Sequence, residues 1–290
     1  MEEIIYLNGE LITRSQAKLS PFDHGFLYGC GIFETMRSYD GSIFRLDRHL
    51  ARLQHGVEAL NIAHKLTAFD LEKACHDVLK ANSLINARLR LTVTAGEGDM
   101  IPNPDTCRGI TIFIAAQKLV PPPPESYQQG YAAILSSYRR NSQSPLSRLK
   151  STSYLENFLA RQEARSAGVN EVVLLNEKGF VTEGSSTNIF LADGDMLITP
   201  STESGALPGI TRQAVLELAQ TMGIMPIVRQ VELSELLRAN EAFLTSSTIE
   251  IMPLTRLDAK PIGSGKPGPM TQRLISSYQK LVAEETQSRR

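Results

Sequence analysis

Apolar and polar residues alternate from Glu3 to Arg14 on both sides of Asn8-Gly9, the pattern of two strands closed by a tight turn. Alternation resumes over residues 32–38, turns at Asp40-Gly41 and returns through Ser42–Arg45. The period then changes: Leu46, Leu50, Leu53, Val57 and Leu60 recur at helical spacing. A further helix is predicted over 67–82, an alternating strand over Arg88–Ala95 and a buried-type strand over 109–115.

The pattern breaks at Lys118-Leu119-Val120-Pro121-Pro122-Pro123-Pro124, where consecutive prolines fix φ and remove N–H donors. This predicts a small N-terminal domain over 1–117, an extended linker over 118–128 and a larger domain over 129–290. Beyond the linker, strands are predicted over 131–137, 171–176, 187–192, 196–199, 226–231 and 241–245. Ser153 and Glu156 have the spacing of a capping box for a helix running to Ser166, with Gly168 past its end and Tyr154, Leu155, Phe158 and Leu159 marking its buried face. Thr211 opens a helix to about Met222, a short helix follows Ser234, and a last one starts near 270. Hairpins outnumber strand–helix–strand units, so the class is α+β and not a doubly wound sheet.

Composition narrows the picture. With 42% hydrophobic and 21% charged residues over 290 positions, the chain is an ordinary globular protein long enough for two domains. A net charge of -1 gives no electrostatic footprint for nucleic acid. No apolar run is long enough to span a bilayer, so no membrane partner is expected. The acidic start, Met1-Glu2-Glu3, lacks a signal-peptide core, and Cys30, Cys75 and Cys107 cannot all pair; both point to the cytoplasm. The cysteines and the five histidines have no metal-ligand spacing, and no metal is expected. Gly263-Ser264-Gly265-Lys266 looks like part of a phosphate loop, but Pro267-Gly268 follows where Ser or Thr and a helix start are needed. Ser185-Ser186 lacks the glycine frame of a nucleophile elbow.

Three stretches of the second half make chemical sense together. Lys150 stands just before a helix, Glu183 sits between two strands, and Leu207-Pro208-Gly209-Ile210-Thr211-Arg212 leads into a helix N-terminus. A phosphorylated aldehyde cofactor that acts as an electron sink needs a lysine for its aldehyde, a charged partner for its ring nitrogen and free helix N–H groups for its phosphate. Pyridoxal 5′-phosphate has those needs. Thr211 offers a hydroxyl and amides, and Arg52 a second phosphate anchor.

In these stretches the chain resembles the class IV, or fold-type IV, pyridoxal-phosphate aminotransferases. That family includes branched-chain and D-amino-acid aminotransferases and 4-amino-4-deoxychorismate lyases. The resemblance is carried by His24-Gly25-Phe26-Leu27-Tyr28-Gly29 with Gly31, Phe33 and Glu34, by His49-Leu50-Ala51-Arg52-Leu53, and by Lys150 with Tyr154-Leu155. It continues through Glu183-Gly184-Ser185 with Asn188, Leu207–Arg212, and Glu250-Ile251 with Pro253. These motifs run in family order over nearly the whole chain.

The resemblance implies a two-domain fold: a small α/β N-terminal domain and a larger mixed-sheet pseudo-barrel. It implies that Lys150 is the Schiff-base lysine and proton shuttle, that Glu183 pairs with the pyridine nitrogen, and that Tyr154 lies near the ring hydroxyl. Arg52, Ile210 and Thr211 resemble the phosphate cup. Ser247 and Thr248 align near the phosphate and substrate carboxylate, and Tyr28, Phe33, Thr35, Arg37 and Arg90 with the substrate side. It also implies a site between the two domains that borrows residues from a second subunit, and hence a homodimer. His24 and His49 read as structural or interfacial.

Which reaction follows is less sharply drawn. Branched-chain enzymes usually carry Phe-Glu-Gly where this chain has Phe33-Glu34-Thr35. The Arg-x-His of D-amino-acid enzymes is missing near Gly96-Glu97-Gly98-Asp99-Met100. The lyases resemble the chain at Phe33-Glu34-Thr35, at Arg148-Leu149-Lys150-Ser151 and at Glu183–Asn188. The expected function is an aminotransferase acting between an amino donor and a 2-oxo acid. The alternative is a lyase releasing pyruvate and 4-aminobenzoate, and a remote third is a non-catalytic binding relative.

Overall fold

The computed structural model describes residues 2–287. Contacts divide them into two compact units. The first holds the described residues up to Val120, Leu149–Tyr154 and those from Glu284; the second holds Pro121–Arg148 and Leu155–Ala283.

In the first unit, β1 (Ile4–Leu7) and β2 (Glu10–Thr13) pair antiparallel around Asn8-Gly9, as the alternation predicts. A short helix, α1 (His24–Tyr28), occupies the glycine-rich stretch. It is followed by β3 (Gly31–Tyr39), β4 (Ser42–Ile43), α2 (Leu46–Ala59), α3 (Ala63–Leu66), α4 (Leu71–Ala81), β5 (Ala87–Thr94) and β6 (Thr111–Lys118). The strands form one antiparallel sheet in the order β2-β1-β6-β5-β3-β4. Its inner face buries Ile32, Met36, Leu89, Leu91, Val93, Ile112 and Ile114 in one cluster with Leu53, Val57, Val78 and Leu79 of α2 and α4. The two-residue period of a strand sends Phe33, Thr35 and Arg37 to the other face, in register with Thr92, Arg90 and Arg88. Two inner positions of β3 break the apolar rule: Glu34, between Ile32 and Met36, and Ser38 near the strand end, both completely buried.

The segment Leu149–Tyr154 lies along the start of β3. Phe33 N–H donates to the Lys150 carbonyl at 2.8 Å, Thr152 N–H to the Gly31 carbonyl at 2.8 Å, and the Thr152 hydroxyl to the Gly29 carbonyl at 2.8 Å. The approach is close enough to require glycine: a Cβ on Gly29 would stand 2.5 Å from Ser153 Oγ, at a φ of 69° that side chains avoid. The chain end is tied to the same unit by Arg45, whose Nη2 donates to Glu285 Oε1 at 2.9 Å.

The second unit begins with α5 (Pro124–Gln129), β7 (Tyr131–Arg140), α6 (Leu155–Ser166), β8 (Glu171–Asn176), β9 (Asn188–Asp193), β10 (Met196–Pro200) and α7 (Ile210–Thr221). It continues with β11 (Met225–Arg229), α8 (Leu233–Arg238), β12 (Glu241–Ser246), β13 (Glu250–Leu257), β14 (Lys260–Pro261) and α9 (Pro269–Gln287). Its sheet runs β11-β10-β9-β12-β13-β7-β8, with β14 on β13. The β10–β11, β13–β7 and β7–β8 pairs are parallel and the rest antiparallel, a mixed sheet in an α+β fold.

Several sequence expectations need correction. Part of the predicted linker is helical: Pro124 sits in the first turn of α5, where its missing N–H costs nothing, and the Tyr127 hydroxyl donates to the Ile249 carbonyl at 3.2 Å. Ser153 does not stand at the N-cap position: α6 begins at Leu155, the Ser153 hydroxyl donates to the Gly29 carbonyl at 3.2 Å and Glu156 faces Arg140 at 3.8 Å. The buried face of α6 is also the small-residue one, Asn157, Ala160 and Ala164, packed on Val172 and Leu174; Leu155 and Phe158 are 68% and 66% exposed. Strand β13 was not predicted because Pro253 lies inside it; the pairing with β7 begins just after it, at Leu254. Among the described residues, no helix is long and apolar enough to cross a membrane.

Candidate active site

In the first unit the predicted residues gather around one ring. Phe33 is buried on the outer face of β3, held beside Lys150 by the backbone bond between them. Lys150 Nζ stands 4.7 Å from the Phe33 ring centroid, and the Arg90 guanidinium carbon 3.8 Å. Tyr154 meets the same ring edge-on at 5.3 Å. Both cations are drawn to this ring by its quadrupole, which is negative over each face. Burial lowers the Arg90 pKa, and the neighbouring Arg88 charge lowers it further against the pull of Tyr154. Thr35 is in direct register with Arg90, and the Arg37 guanidinium lies 4.4 Å over the Tyr39 ring. Tyr28 closes α1 and packs edge-on against His24 at 5.0 Å.

Arg52 projects from α2 onto Glu34. Its Nε donates to Glu34 Oε1 at 2.7 Å and its Nη2 to Oε2 at 2.6 Å, a side-on two-point grip. His49 Nδ1 lies 2.7 Å from the same Oε2. Burial alone would raise the Glu34 pKa; the Arg52 and His49 charges and hydrogen bonds outweigh it and hold the carboxyl at about 2. Burial pushes His49 the other way, below its ordinary value, against the pull of Glu34, and the Arg52 and Lys150 charges add to the lowering. A carboxyl with a depressed folded-state pKa stabilises the fold fully above its ordinary value of 4.5, and that contribution disappears as pH falls toward about 2. Urea unfolding is therefore expected to lose on the order of 2–3 kcal/mol through this group across that acid window. Glu34→Gln, which cannot titrate, is expected to show a flatter pH profile; identical slopes for the two proteins would exclude the linkage.

The second unit assembles the ring-nitrogen candidate. Glu183 is buried, and Arg140 Nη2 donates to its Oε1 at 2.9 Å. Its Oε2 accepts from the Leu207 N–H at 2.9 Å and the Asn188 amide at 3.3 Å. The Asn188 amide also donates to the Leu207 carbonyl at 2.8 Å, which locks the Leu207-Pro208-Gly209 turn to the carboxylate. After that turn α7 starts at Ile210, with Gly209 as a cap that offers no side-chain acceptor to the first amides. Thr211 is buried in its first turn, and Arg212 anchors the helix by donating to the Pro200 carbonyl at 3.0 Å. Ser247 and Thr248 lie in the turn between β12 and β13, where the Thr248 and Ser246 hydroxyls are 3.3 Å apart.

Gly209 is required by space and not by φ. A Cβ there would fall 2.0 Å from Asn188 Oδ1. Gly209→Ala is expected to displace Asn188 from Glu183, to destabilise the protein by about 1–3 kcal/mol and to weaken cofactor binding. Thermal unfolding and cofactor titration check both; unchanged values would mean that the turn relaxes freely.

Each unit carries donors that suit pyridoxal 5′-phosphate: the first an amine placed by an aromatic ring and an arginine, the second a buried carboxylate and an uncapped helix start. No group of His, Cys, Asp and Glu among the described residues could hold a metal. Sequence reasoning missed Arg140 and undervalued Glu34 and His49. Glu34 had a signal, a charge on the apolar face of a strand opposite a helix carrying His49 and Arg52. Arg140, at the end of β7 in a basic stretch, had none.

Residues 31–257 match the family described as Amino-transferase class IV. The chain belongs to the class IV aminotransferase family. Within it, the chain is 38% identical over 278 residues to a putative branched-chain-amino-acid aminotransferase of Methanocaldococcus jannaschii, covering 96% of each. It is 36% identical over 281 residues to an aminodeoxychorismate lyase of Bacillus subtilis, covering 96% of this chain and 94% of the relative. Its fold superposes on the crystal structure of a branched-chain amino acid aminotransferase from T.th. with pyridoxamine 5′-phosphate, at a TM-score of 0.91 and 29% identity, over 98% of this chain and 95% of the other. The fold is therefore that of the fold-type IV enzymes of this family.

Proposed function

We propose that this chain is a pyridoxal-phosphate-dependent aminotransferase that moves an amino group between an amino donor and a 2-oxo acid. The observation that carries the reading is Lys150, pinned by its own backbone to β3 with its amine over the Phe33 ring, which Tyr154 and Arg90 also contact. When bound, the cofactor supplies an aldehyde for covalent attachment and a ring that withdraws electrons. Lys150 is the attachment point and then carries a proton away from the substrate Cα. Glu183, paired with Arg140 at 2.9 Å, would hold the ring nitrogen as its carboxylate partner. Ile210 and Thr211 offer backbone and hydroxyl donors to the phosphate, Arg52 adds a fixed positive charge, and Ser247 shares that role. Tyr154 orients the ring hydroxyl. Phe33, Thr35, Arg37, Arg90, Tyr28 and Thr248 shape the substrate side.

The second reading is a lyase that releases pyruvate and 4-aminobenzoate. The similarity to the Bacillus subtilis lyase and the hydroxyl of Thr35, in register with Arg90, favour it. A panel of amino donors and 2-oxo acids, run beside aminodeoxychorismate, separates the two. Keto acid formation with conversion of the cofactor to its amine form supports the aminotransferase; 4-aminobenzoate without any such half-reaction overturns it. Borohydride reduction followed by peptide mapping is expected to place the cofactor on Lys150. A protein that takes up no pyridoxal phosphate would return the chain to the binding-relative reading.

The exposed Leu155 and Phe158 of α6 support assembly as a homodimer, since an apolar pair at the surface of one helix favours burial against a second copy. Light scattering is expected to show a dimer that Phe158→Glu dissociates; a monomeric parent protein would remove this part of the proposal.

A further inference from the structure

We infer that Glu34 is a positioning residue for phosphate recognition, acting through Arg52. The inference rests on the pyridoxal-phosphate reading and deepens it by assigning a residue that the phosphate itself does not touch.

A carboxylate on the inner face of β3 is an expensive choice. Its neighbours along the strand face are Ile32 and Met36, and it is completely buried. A buried ion pair of this kind commonly does no more for stability than well-packed apolar side chains of the same volume. Its presence therefore calls for a use beyond holding the core together, and the geometry supplies one. Glu34 takes the Nε–Nη2 edge of the Arg52 guanidinium with both oxygens, at 2.7 and 2.6 Å. A planar fork gripped along that edge has its plane and direction fixed, and its Nη1 corner lies opposite the carboxylate. An arginine on a helix otherwise samples many rotamers; here it is held by a strand hydrogen-bonded along its length to β5.

His49 completes the clamp. Its Nδ1, 2.7 Å from Glu34 Oε2, stops the carboxylate from turning. Oε2 is thus held by His49 as well as by Arg52, and Oε1 is left to the Arg52 Nε. Glu34 also offsets part of the positive charge of Arg52, so the arrangement gives up long-range attraction for orientation. That trade suits a ligand group of fixed position and tetrahedral shape, such as a phosphate monoester. It suits a freely diffusing anion poorly.

The test compares pyridoxal 5′-phosphate with pyridoxal, which lacks the phosphate, by equilibrium titration of apoprotein followed by absorbance. The wild-type protein is expected to prefer the phosphorylated form strongly. Glu34→Gln keeps the shape and removes the grip, and is expected to lower that preference by about tenfold while leaving pyridoxal affinity unchanged. Arg52→Lys keeps the charge and removes the fork, and is expected to lower the preference by a similar factor. In the double variant the two losses do not add. A Glu34→Gln protein that loses both affinities equally has lost a structural residue only, and the inference fails. It also fails if Arg52→Lys retains the wild-type preference, a result that stands even where Glu34→Gln does not fold. A wild-type protein that binds neither compound overturns the cofactor reading itself, and a wild-type protein that binds both equally leaves the cofactor reading in place but removes phosphate recognition.

Discussion

Lys150→Ala is expected to reduce kcat by at least about 10⁴-fold while cofactor still binds through its phosphate. On the proposed reading the lysine serves two purposes, covalent attachment and proton transfer, and no neighbour duplicates either. Arg90, the other cation on the Phe33 ring, stays protonated even with its pKa lowered by burial, and so offers no lone pair. Tyr154 lies on the same ring but belongs, on this reading, to the ring hydroxyl. Because the variant keeps Phe33, Thr152 and the backbone bonds along β3, its fold is expected to be intact. Initial rates and the absorbance of bound cofactor check the two halves separately. Small amines added to the solution are expected to restore a fraction of the rate. Turnover within tenfold of the parent would remove Lys150 from the reaction and, with it, the reading of the whole site.

Glu183→Gln is expected to have the second largest effect, and on two observables. Activity is expected to fall by about 10²–10³-fold, since a neutral amide no longer holds the proton on the ring nitrogen. Stability is expected to fall by about 1–3 kcal/mol, because the Arg140 guanidinium, paired at 2.9 Å and as buried as its partner, loses the nearer of its two carboxylates and keeps only Glu156 at 3.8 Å. Urea unfolding measures this loss. The double substitution Glu183→Leu with Arg140→Met removes both charges and is expected to recover most of the stability and none of the activity. If activity returned together with stability, Glu183 would be a structural ion-pair partner and nothing more. If Glu183→Gln alone cost neither, the carboxylate would have no role in either sense.

Much of this site was legible in the sequence because its elements obey local rules. The Asn8-Gly9 turn, the alternation of β3 and β5 and the helical spacing of α2 are short-range patterns, and the period of β3 alone sends Phe33, Thr35 and Arg37 to one face. The candidate residues were legible as motifs with the right chemistry in order. What failed depended on tertiary partners. Leu155 and Phe158 looked like a buried stripe, yet the contact surface on β7 and β8 is shallow and takes alanines. Ser153 looked like a cap, yet the helix begins at Leu155 and the serine hydroxyl is tied to the Gly29 carbonyl from a remote part of the chain. Arg140 became visible only when β7 and the Glu183 loop were placed side by side. Pro253 hid a strand because proline in a ladder is normally an edge signal.

The docking of Leu149–Tyr154 on β3 has a consequence for how the protein is made. The two segments that meet there are more than a hundred positions apart in the chain. On a ribosome the sheet from β1 to β6 is synthesised, and can pair, well before the lysine leaves the exit tunnel. Non-local pairing of this kind is slow to form, because a long loop must be closed before any contact rewards it. On the pyridoxal-phosphate reading, cofactor capture is expected late in biogenesis, after the strands that receive Lys150 have been made. Cutting the gene at the proline run would not yield two working halves: the piece carrying Phe33 and Arg52 would lack its lysine, and the piece carrying the lysine would lack the strand that aims it.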